Sequence, residues 1–297
     1  MAPSLMLTKM PMTPFRVMAL VAGVAAICLV FSALTTTGRQ QKLGAVFEQP
    51  SLPNKRDISG RTMADASFWR TFDFQSEKIP GEVTAAALKV KVTNSTINIM
   101  GSDTFYREAQ PPEGITSSGE VVVLLHGAAF QSKTWLDLNT INLLAAMGHH
   151  VIAIDLPGYG KTQGALSGDR ADFLQSLLSS LKVSHPVLVS PSMSGGFSIP
   201  FILKYPQGVS GYVPVAPVST SQIVPKAQGL MVPTLIIYGE KDHTLGHTSR
   251  DDLLNIPSSQ AVVLPEAKHP AYLDQPDMFH TLLYNFIRQV HAHRASA

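Results

Sequence analysis

The sequence predicts an α/β fold in which a mostly parallel sheet is flanked by helices. From about residue 86 onward, short apolar runs alternate with segments whose apolar residues recur at helical spacing. The later apolar runs are continuous, as in strands that are buried on both faces of a parallel sheet. No internal repeat or low-complexity tract interrupts this alternation, so a single sheet with crossover helices is the expected architecture.

Composition excludes several classes of protein. The chain has 297 residues, of which 45% are hydrophobic and 15% charged, so a disordered or fibrous protein is excluded. The formal net charge of +2 provides no basic field that could hold nucleic acid. Cys28 is the one cysteine of the chain, so neither an intramolecular disulfide nor a cysteine-based zinc site can form. A hydrophobic core must therefore hold the fold together.

The alternation resolves into eight predicted strands and four predicted helices. The strands are LKVKVTNST, NIMGSDTFYREA, VVVLLHG, HVIAIDLPG, PVLVSPS, YVPVAP, TLIIYG and AVVLPEA. The helices are TWLDLNTINLLAAMG, ADFLQSLLSSL, SIPFILKYP and MFHTLLYNFIRQVHAH. Open sheets of this type bind their ligands at the carboxyl ends of the strands, which is where we expect the functional residues.

A long apolar stretch precedes the folded part of the chain. Residues 17–34 contain no charge, and at about 1.5 Å per residue they reach roughly 27 Å, close to the thickness of a hydrocarbon core. A buried core helix would show a polar face. A cleavable signal peptide would have a shorter apolar stretch and a pair of small residues at its cleavage site. Phe31 and Ala33 make a poor pair for such a site. The sequence therefore predicts an uncleaved signal anchor.

These patterns divide the chain into four segments. The predicted boundaries are 1–16 for a short tail, 17–34 for the transmembrane anchor, 35–85 for a stem with loop-type clusters and 86–297 for the folded domain. The charge rule leaves the orientation of the anchor open, because the basic residues on its two sides balance: Lys9 and Arg16 against Arg39 and Lys42.

A serine stands at the sharpest predicted turn of the domain. The strand PVLVS runs directly into Pro191-Ser192-Met193-Ser194 and then into a helix, which is the order of a nucleophile elbow. Small residues must flank the nucleophile because strand and helix backbones meet there, and Ser190 and Ser194 stand where glycine is usual. The pattern predicts Ser192 as the nucleophile, with a plain polar turn as the alternative.

A serine hydroxyl is a weak nucleophile until a base takes its proton, and one histidine is placed to do so. His269 follows the last predicted strand and precedes the C-terminal helix. Asp242 stands just past the strand TLIIYG, where a carboxylate would hold the imidazole in the required tautomer. Ser192, Asp242 and His269 thus follow separate strands in the chain order Ser…Asp…His that is typical of an α/β-hydrolase.

Two backbone amides complete the predicted site. Met193, the residue after the nucleophile, and Ala128, in the loop HGAAF after the third strand, are the expected oxyanion donors. His126 in the same loop is interpreted as a structural brace. Between the sixth and seventh strands only about fifteen residues remain, enough for one short helix, so no cap domain is expected over the site.

At this point the chain resembles a known family. The motifs LLHGAAFQSKTW, AIDLPGYGKT, SPSMSGG, YGEKD and AKHPAYLDQP are similar in order and place to those of the α/β-hydrolase superfamily. SPSMSGGFSIPF with VPVAPV resembles the group called α/β-hydrolase domain-containing protein fourteen, and the apolar anchor resembles its membrane-bound A form. The resemblance covers residues from about 90 to 297 and implies an α/β-hydrolase fold with a mostly parallel eight-stranded sheet.

The resemblance also implies an activity and a location. It implies hydrolysis or transfer of acyl groups through a charge relay of Ser192, His269 and Asp242, with no cofactor and no metal ion. The substrate would be a small molecule or an acylated carrier, and nucleic acid is not an expected partner. A single-pass type II membrane location is implied, with the domain on the lumenal or extracellular side and cytoplasmic exposure left open. A non-catalytic interaction protein with a developmental or scaffolding role is the alternative.

Two narrower expectations follow from the absence of a cap and from the lumenal location. The site above Ser192 should be open, bounded by loops near Phe130, Tyr159 and Tyr272, with little apolar wall for a long acyl chain. Short acyl groups such as acetyl are therefore the expected substrates. Asn94 begins the one N-x-[ST] sequence of the chain, in a predicted turn, and would carry a glycan if the domain is lumenal.

Overall fold

A computed structural model describes residues 63–295 of the chain. Its strands are β1 (Val92–Ile99), β2 (Ser102–Ala109), β3 (Val121–Leu124), β4 (His150–Ile154), β5 (Val187–Pro191), β6 (Gly211–Val215), β7 (Thr234–Gly239) and β8 (Ser259–Leu264). They form one eight-stranded sheet in the order β1-β2-β4-β3-β5-β6-β7-β8. β2 is antiparallel to β1 and β4, and the other neighbours are parallel, so the predicted fold class is confirmed.

Helices flank this sheet within the described residues. The α-helices are α1 (Ala66–Thr71), α2 (Gly81–Ala87), α3 (Ser132–Asp137), α4 (Thr140–Ala146), α5 (Arg170–Ser180), α6 (Gly195–Lys204), α7 (Leu245–Leu253), α8 (Ala271–Asp274) and α9 (Pro276–Arg294). Short 3₁₀ helices stand at Ser192–Ser194, Thr220–Gln222 and Val224–Gly229. Helices α5, α6 and α9 coincide closely with three of the predicted ones.

The sheet separates two apolar layers, because successive residues of a strand point to opposite faces. In β3, Val122 and Leu124 pack in one layer and Val123 packs in the other. In β5, Val189 and Leu188 divide in the same way. None of these five side chains is more than 1% exposed, which is why the central strands appear in the sequence as continuous apolar runs.

Residues 63–85 differ from the stem predicted over 35–85. Helix α1 forms here, and Asp65 caps it by accepting a hydrogen bond from the Ser67 N–H at 2.8 Å. Phe68 and Trp69 are buried in the core, where the rings of Trp69 and Phe286 of α9 lie 5.9 Å apart. The segment therefore contributes aromatic side chains to the folded domain. The tail and the remainder of the predicted stem, 1–16 and 35–62, lie outside the described residues.

Two predicted elements are divided in the structure. The helix TWLDLNTINLLAAMG consists of α3 and α4, because Asn139 between them adopts a left-handed φ of 64°. The strand predicted over NIMGSDTFYREA contains the hairpin turn of β1 and β2, at Met100 and Gly101. Asn94, predicted in a turn, therefore lies inside β1, exposed, where its Oδ1 accepts from Arg107 Nη1 at 2.8 Å. Its glycosylation stays a prediction.

No cap covers the sheet between β6 and β7, as predicted. This connection consists of two of the 3₁₀ helices and short turns. Ile223 and Ala227 within it are at most 1% exposed and belong to one of the two core layers. The connection therefore packs down against the sheet and leaves the carboxyl ends of the strands accessible.

The single-pass type II location predicted from the sequence is wrong for the chain as described. A membrane-spanning helix needs about 20 mostly apolar residues. Between residues 63 and 295, no helix has both the length and the apolar character to cross a bilayer. The longest, α9, has 19 residues but carries Asp277, Arg288 and Arg294. Residues 17–34, where the anchor was predicted, lie outside the described residues.

Two buried histidines make the fold sensitive to acid. Burial lowers the pKa of both His149 and His280 to about 4, whereas an unfolded histidine titrates near 6.5. Below about pH 6.5 the unfolded chain therefore binds protons that the folded chain does not, and stability falls as the pH falls towards 4. At about pH 5 each histidine should cost roughly 2 kcal/mol of the free energy of unfolding relative to pH 7.

Urea unfolding at the two pH values measures this loss. His280 Nε2 lies 2.8 Å from Thr140 Oγ1, and in His280→Gln an amide can keep that hydrogen bond without taking up a proton. We expect the stability lost between pH 7 and 5 to shrink by about 2 kcal/mol in this variant. An equal loss in the variant and the natural protein would contradict the assignment.

Candidate active site

The turn after β5 holds Ser192 in a strained conformation. Its φ of 50° lies in the left-handed region, which costs a non-glycine residue about 1–3 kcal/mol. The Ser192 carbonyl accepts a hydrogen bond from the Val218 N–H at 2.9 Å. A Cβ on Gly195 would lie only 2.4 Å from the Val218 carbonyl oxygen. Only glycine at position 195 therefore allows α6 to lie this close to the segment after β6. The observed turn has the strand–turn–helix form predicted for it.

The structure brings Ser192, His269 and Asp242 into one hydrogen-bonded row. Ser192 Oγ lies 2.7 Å from His269 Nε2, and His269 Nδ1 lies 2.6 Å from Asp242 Oδ2. Because a carboxylate can only accept, Nδ1 carries the proton and Nε2 is left to accept from the Ser192 hydroxyl. The three residues follow β5, β7 and β8, whose carboxyl ends lie at one edge of the sheet.

Asp242 is held as a carboxylate although only 4% of its surface is exposed. Burial by itself raises the pKa of this group. Hydrogen bonds from His269, from the Gly246 backbone N–H and from Thr244 outweigh burial and hold the pKa of Asp242 below its ordinary value. The negative charge therefore persists at neutral pH and faces the imidazole that it orients.

His126 braces the loop after β3, as interpreted from the sequence. The Nδ1–H of this buried imidazole donates to the Gly127 carbonyl at 2.9 Å, and its Nε2 accepts from the Leu156 N–H at 3.0 Å. Burial lowers the pKa of His126, which favours the neutral form that can both donate and accept. The imidazole thus ties the loop after β3 to the end of β4.

The two predicted oxyanion donors belong to the two segments next to Ser192, the loop after β3 and the turn after β5. The Phe130 N–H donates to the Gly127 carbonyl at 3.0 Å, which closes the loop and places Ala128 on the wall of the cavity that Ser192 also lines. Met193 directly follows Ser192 in the 3₁₀ turn that leads into α6. Their role as donors to an oxyanion stays a prediction.

A cavity of about 290 Å³ opens beside the hydrogen-bonded row. Its lining is mostly apolar: Gly127, Ala128, Ala129, Phe130, Pro191, Ser192, Val215, His269, Pro270 and Tyr272. The sequence predicts little apolar wall for a long acyl chain. The structure differs because Phe130 of the loop after β3, Val215 of β6 and Tyr272 of α8 all line the cavity. Tyr159, predicted at the rim, packs edge-on against His126 instead, with ring centroids 5.4 Å apart.

Four buried hydroxyl groups form a chain behind Ser192. Ser194 Oγ donates to the Pro191 carbonyl at 2.7 Å, and Ser190 Oγ lies 3.0 Å from Ser194 Oγ. Ser198 Oγ in turn lies 2.7 Å from Ser190 Oγ and 2.9 Å from the Tyr212 hydroxyl. All four side chains are fully buried, so the chain is shielded from solvent.

The direction of this chain follows from the number of hydrogens, because each hydroxyl has one to give. Ser194 gives its hydrogen to a carbonyl, so Ser190 donates to Ser194, Ser198 to Ser190 and Tyr212 to Ser198. Burial raises the pKa of Tyr212 to about 12, which keeps the proton that the chain requires. Ser198 and Tyr212 are not among the residues predicted from the sequence, although the i, i+4 spacing of Ser194 and Ser198 is a signal for the first of them.

The described part of the chain offers no evident metal site. Across residues 63–295, no three His, Cys, Asp or Glu side chains are grouped so that they could hold a metal ion. His243 and His247 lie close together, with ring centroids 5.7 Å apart, but no third side chain of these types completes a set with them.

Comparison with known proteins shows that the chain is similar to hydrolases. The family model described as the alpha/beta hydrolase fold matches residues 120–229. The chain is 42% identical to Protein ABHD14A of Danio rerio over 197 residues, which are 63% of this chain and 72% of that protein. It is 38% identical to ABHD14B of Pongo abelii, named as a proposed protein-lysine deacylase, over 68% of this chain and 98% of that protein.

A solved structure shows the same fold. The crystal structure of a predicted CIB-like hydrolase from Thermoplasma acidophilum superposes with a TM-score of 0.61 at 26% identity. The match covers 67% of this chain and 99% of the other.

The buried hydroxyl chain should stabilise the fold as one unit. Ser198→Ala leaves the Tyr212 hydroxyl without its acceptor and should lower the free energy of unfolding by about 1–3 kcal/mol. Tyr212→Phe in the Ser198→Ala background should cost clearly less than Tyr212→Phe alone, because the two hydroxyls share one hydrogen bond. Urea unfolding of the two single variants and the double variant measures this, with the exposed Ser179→Ala as control. Losses that simply add would contradict the chain.

Proposed function

Since this chain belongs to the ABHD14 family of α/β-hydrolases, we propose that it removes short acyl groups from their carriers through an acyl-enzyme on Ser192. The chain is an enzyme of the serine hydrolase type. The observation that carries the finer proposal is the row in which Ser192 Oγ, His269 and Asp242 are joined at 2.7 and 2.6 Å.

In the proposed reaction, His269 moves the proton. Its Nε2 takes the proton of Ser192 as Oγ forms a bond to the acyl carbon and the carbonyl electron pair moves onto oxygen. When this tetrahedral intermediate collapses, the bond to the carrier breaks and the imidazolium gives its proton to the leaving amine or alcohol. The Asp242 carboxylate orients the ring and stabilises the imidazolium. Water or another acceptor then releases the acyl group by the same route.

The oxyanion needs hydrogen-bond donors that are already in place when charge develops. The backbone N–H groups of Ala128 and Met193 are proposed for this role, because Ala128 lines the same cavity as Ser192 and Met193 directly follows Ser192. The His126 brace supports the first of them by fixing the neighbouring Gly127 carbonyl. The elbow positions the second, since Met193 directly follows the strained Ser192.

The cavity supports a short, uncharged acyl group. Its walls at Phe130, Val215 and Tyr272 are apolar, and no carboxylate, lysine or arginine lines it. The absence of a cap leaves room for a large carrier on the solvent side. The name of the ABHD14B relative supports acylated lysine as one such carrier, so amide as well as ester substrates belong in the test.

Replacement of the nucleophile tests the mechanism. Ser192→Ala should lose about 10⁴-fold or more of kcat for 4-nitrophenyl acetate and should take up no fluorophosphonate probe, while thermal unfolding still shows a folded protein. Ser194→Ala is the matched control in the same turn, and it should keep measurable activity and label. Label on Ser192→Ala, or none on a Ser194→Ala protein that thermal unfolding shows to be folded, would overturn the choice of nucleophile.

Acyl-chain length tests the proposed substrate class. Across 4-nitrophenyl esters from acetyl to dodecanoyl, kcat/KM should be highest for the shortest groups, because a longer chain leaves the cavity and gains no further burial. Val215→Ala enlarges the cavity and should shift the preference towards longer chains by about tenfold per added methylene at most. The exposed Val263→Ala is its control. A rise in kcat/KM up to dodecanoyl in the natural protein would contradict the proposal.

A further inference from the structure

Tyr272 has a tightly packed ring, and its hydroxyl has no hydrogen-bond partner among residues 63–295. The residue is only 2% exposed, and its ring packs against Trp135 at 4.8 Å, Phe279 at 5.8 Å and Phe130 at 6.1 Å between centroids. Its interactions within the described residues are these ring contacts, so no side chain or backbone group there shares a hydrogen bond with the hydroxyl. The hydroxyl oxygen is not one of the fully buried polar atoms that lack a partner, so it keeps some accessible surface although the ring is buried. It can therefore bind a molecule that enters the cavity.

This hydroxyl lies beside the loop that follows β3. Tyr272 lines the same cavity as Ser192, three residues after His269. A Cβ built on Gly127 would lie 3.9 Å from the Tyr272 hydroxyl oxygen and 3.4 Å from Ser192 Cβ. Because both distances start from the same point, the Tyr272 hydroxyl oxygen and Ser192 Cβ lie at most about 7.3 Å apart. Gly127 also immediately precedes Ala128, the proposed oxyanion donor, so the hydroxyl and that amide border the same space.

The chemistry of the cavity restricts what the hydroxyl can bind. Burial raises the pKa of Tyr272 above its ordinary value, so the phenol keeps its proton and is available as a donor throughout the neutral range. The other lining side chains, apart from Ser192 and His269, carry no polar atom. A partner for this donor must therefore come with the substrate, which brings a carbonyl oxygen and a leaving-group atom next to Ser192. Of these two, the carbonyl oxygen is the atom on which negative charge develops when Ser192 attacks, and a fixed neutral donor suits such an acceptor.

We propose that the Tyr272 hydroxyl is a third donor to the acyl carbonyl oxygen, beside the backbone N–H groups of Ala128 and Met193. The inference rests on the proposed reaction at Ser192. As Ser192 Oγ bonds to the acyl carbon, the carbonyl electron pair moves onto oxygen and the Ser192 proton moves to His269 Nε2. Tyr272 donates a hydrogen bond to that oxygen and keeps its own proton. When the intermediate collapses, the pair returns and the leaving group takes the proton from His269.

This role explains why the ring is tightly packed while the hydroxyl has no partner among residues 63–295. A donor that is fixed before the reaction loses no orientational freedom when charge appears on the substrate oxygen. The charge on that oxygen is larger in the transition state than in the bound substrate, so the hydrogen bond should lower the barrier more than it tightens binding. Removal of the hydroxyl should consequently act on kcat and leave KM nearly unchanged.

The test is Tyr272→Phe, which keeps the ring and removes only the hydroxyl. The burst rate of 4-nitrophenolate release from 4-nitrophenyl acetate and butanoate should fall about 10²-fold for both esters, with KM within about twofold of the natural value. The serine attacks 1,1,1-trifluoro-2-butanone to form a tetrahedral adduct that carries an oxyanion and has no leaving group. The inhibition constant of this ketone should rise by a similar factor. The urea midpoint should stay unchanged or rise, because the lost hydroxyl has no partner among residues 63–295.

Tyr205→Phe is the matched control, since its hydroxyl bonds Asp172 on the surface and not the site, and it should leave the burst rate unchanged. An unchanged burst rate in Tyr272→Phe would overturn the inference. So would a loss confined to esters such as methoxyacetate, whose acyl chain carries its own acceptor, because the phenol would then recognise the chain. If Ser192 in the natural protein takes up no fluorophosphonate, the proposed function fails as well, whereas labelled Ser192 with an unchanged Tyr272→Phe overturns only this inference.

Discussion

The close approach of α6 to the segment after β6, which Gly195 permits, governs the geometry of the whole site. It lets the Val218 N–H hold the Ser192 carbonyl at 2.9 Å while Ser192 keeps a φ of 50°. An isolated turn would relax out of this region, so the surrounding packing must supply the energy that maintains it. The direction of Ser192 Oγ, and with it the 2.7 Å contact to His269, depends on this backbone constraint.

Buried polar groups that are hydrogen-bonded also stabilise the site. The hydroxyl chain from Tyr212 to Ser194 ends on the Pro191 carbonyl, directly before the strained residue. Serine at position 194 thus does more than fit the space usually left to glycine, because its hydroxyl ties the turn to a β6 side chain. On the other side, Asp242 keeps its charge in a buried place because several donors converge on it.

Not every buried polar group in this protein is satisfied in that way. His149 Nε2 has no partner in the described structure, and the neutral form of this residue is enforced by burial. The Tyr272 hydroxyl also has no partner within the described part of the chain, but it keeps accessible surface and its residue lines the cavity. The two groups differ in their surroundings. Protonation of the buried His149 lowers the stability of the fold at low pH, whereas the Tyr272 phenol is accessible to a substrate in the cavity. Active sites commonly hold groups whose favourable contacts form only with the substrate.

The sequence by itself determined the fold class and the set of residues that meet at the sheet edge. Strand periodicity and the chain order of Ser192, Asp242 and His269 are local signals, and parallel strands bring their carboxyl ends to one edge whatever the side chains do in detail. The prediction of a stem was wrong for residues 63–85, whose aromatic side chains show no periodic pattern but pack in the core against Phe286 of α9. Only the tertiary structure decided the apolar wall of the cavity and the isolation of the Tyr272 hydroxyl. Both depend on distances between side chains from separate elements, and those distances are set by packing and not by any local pattern.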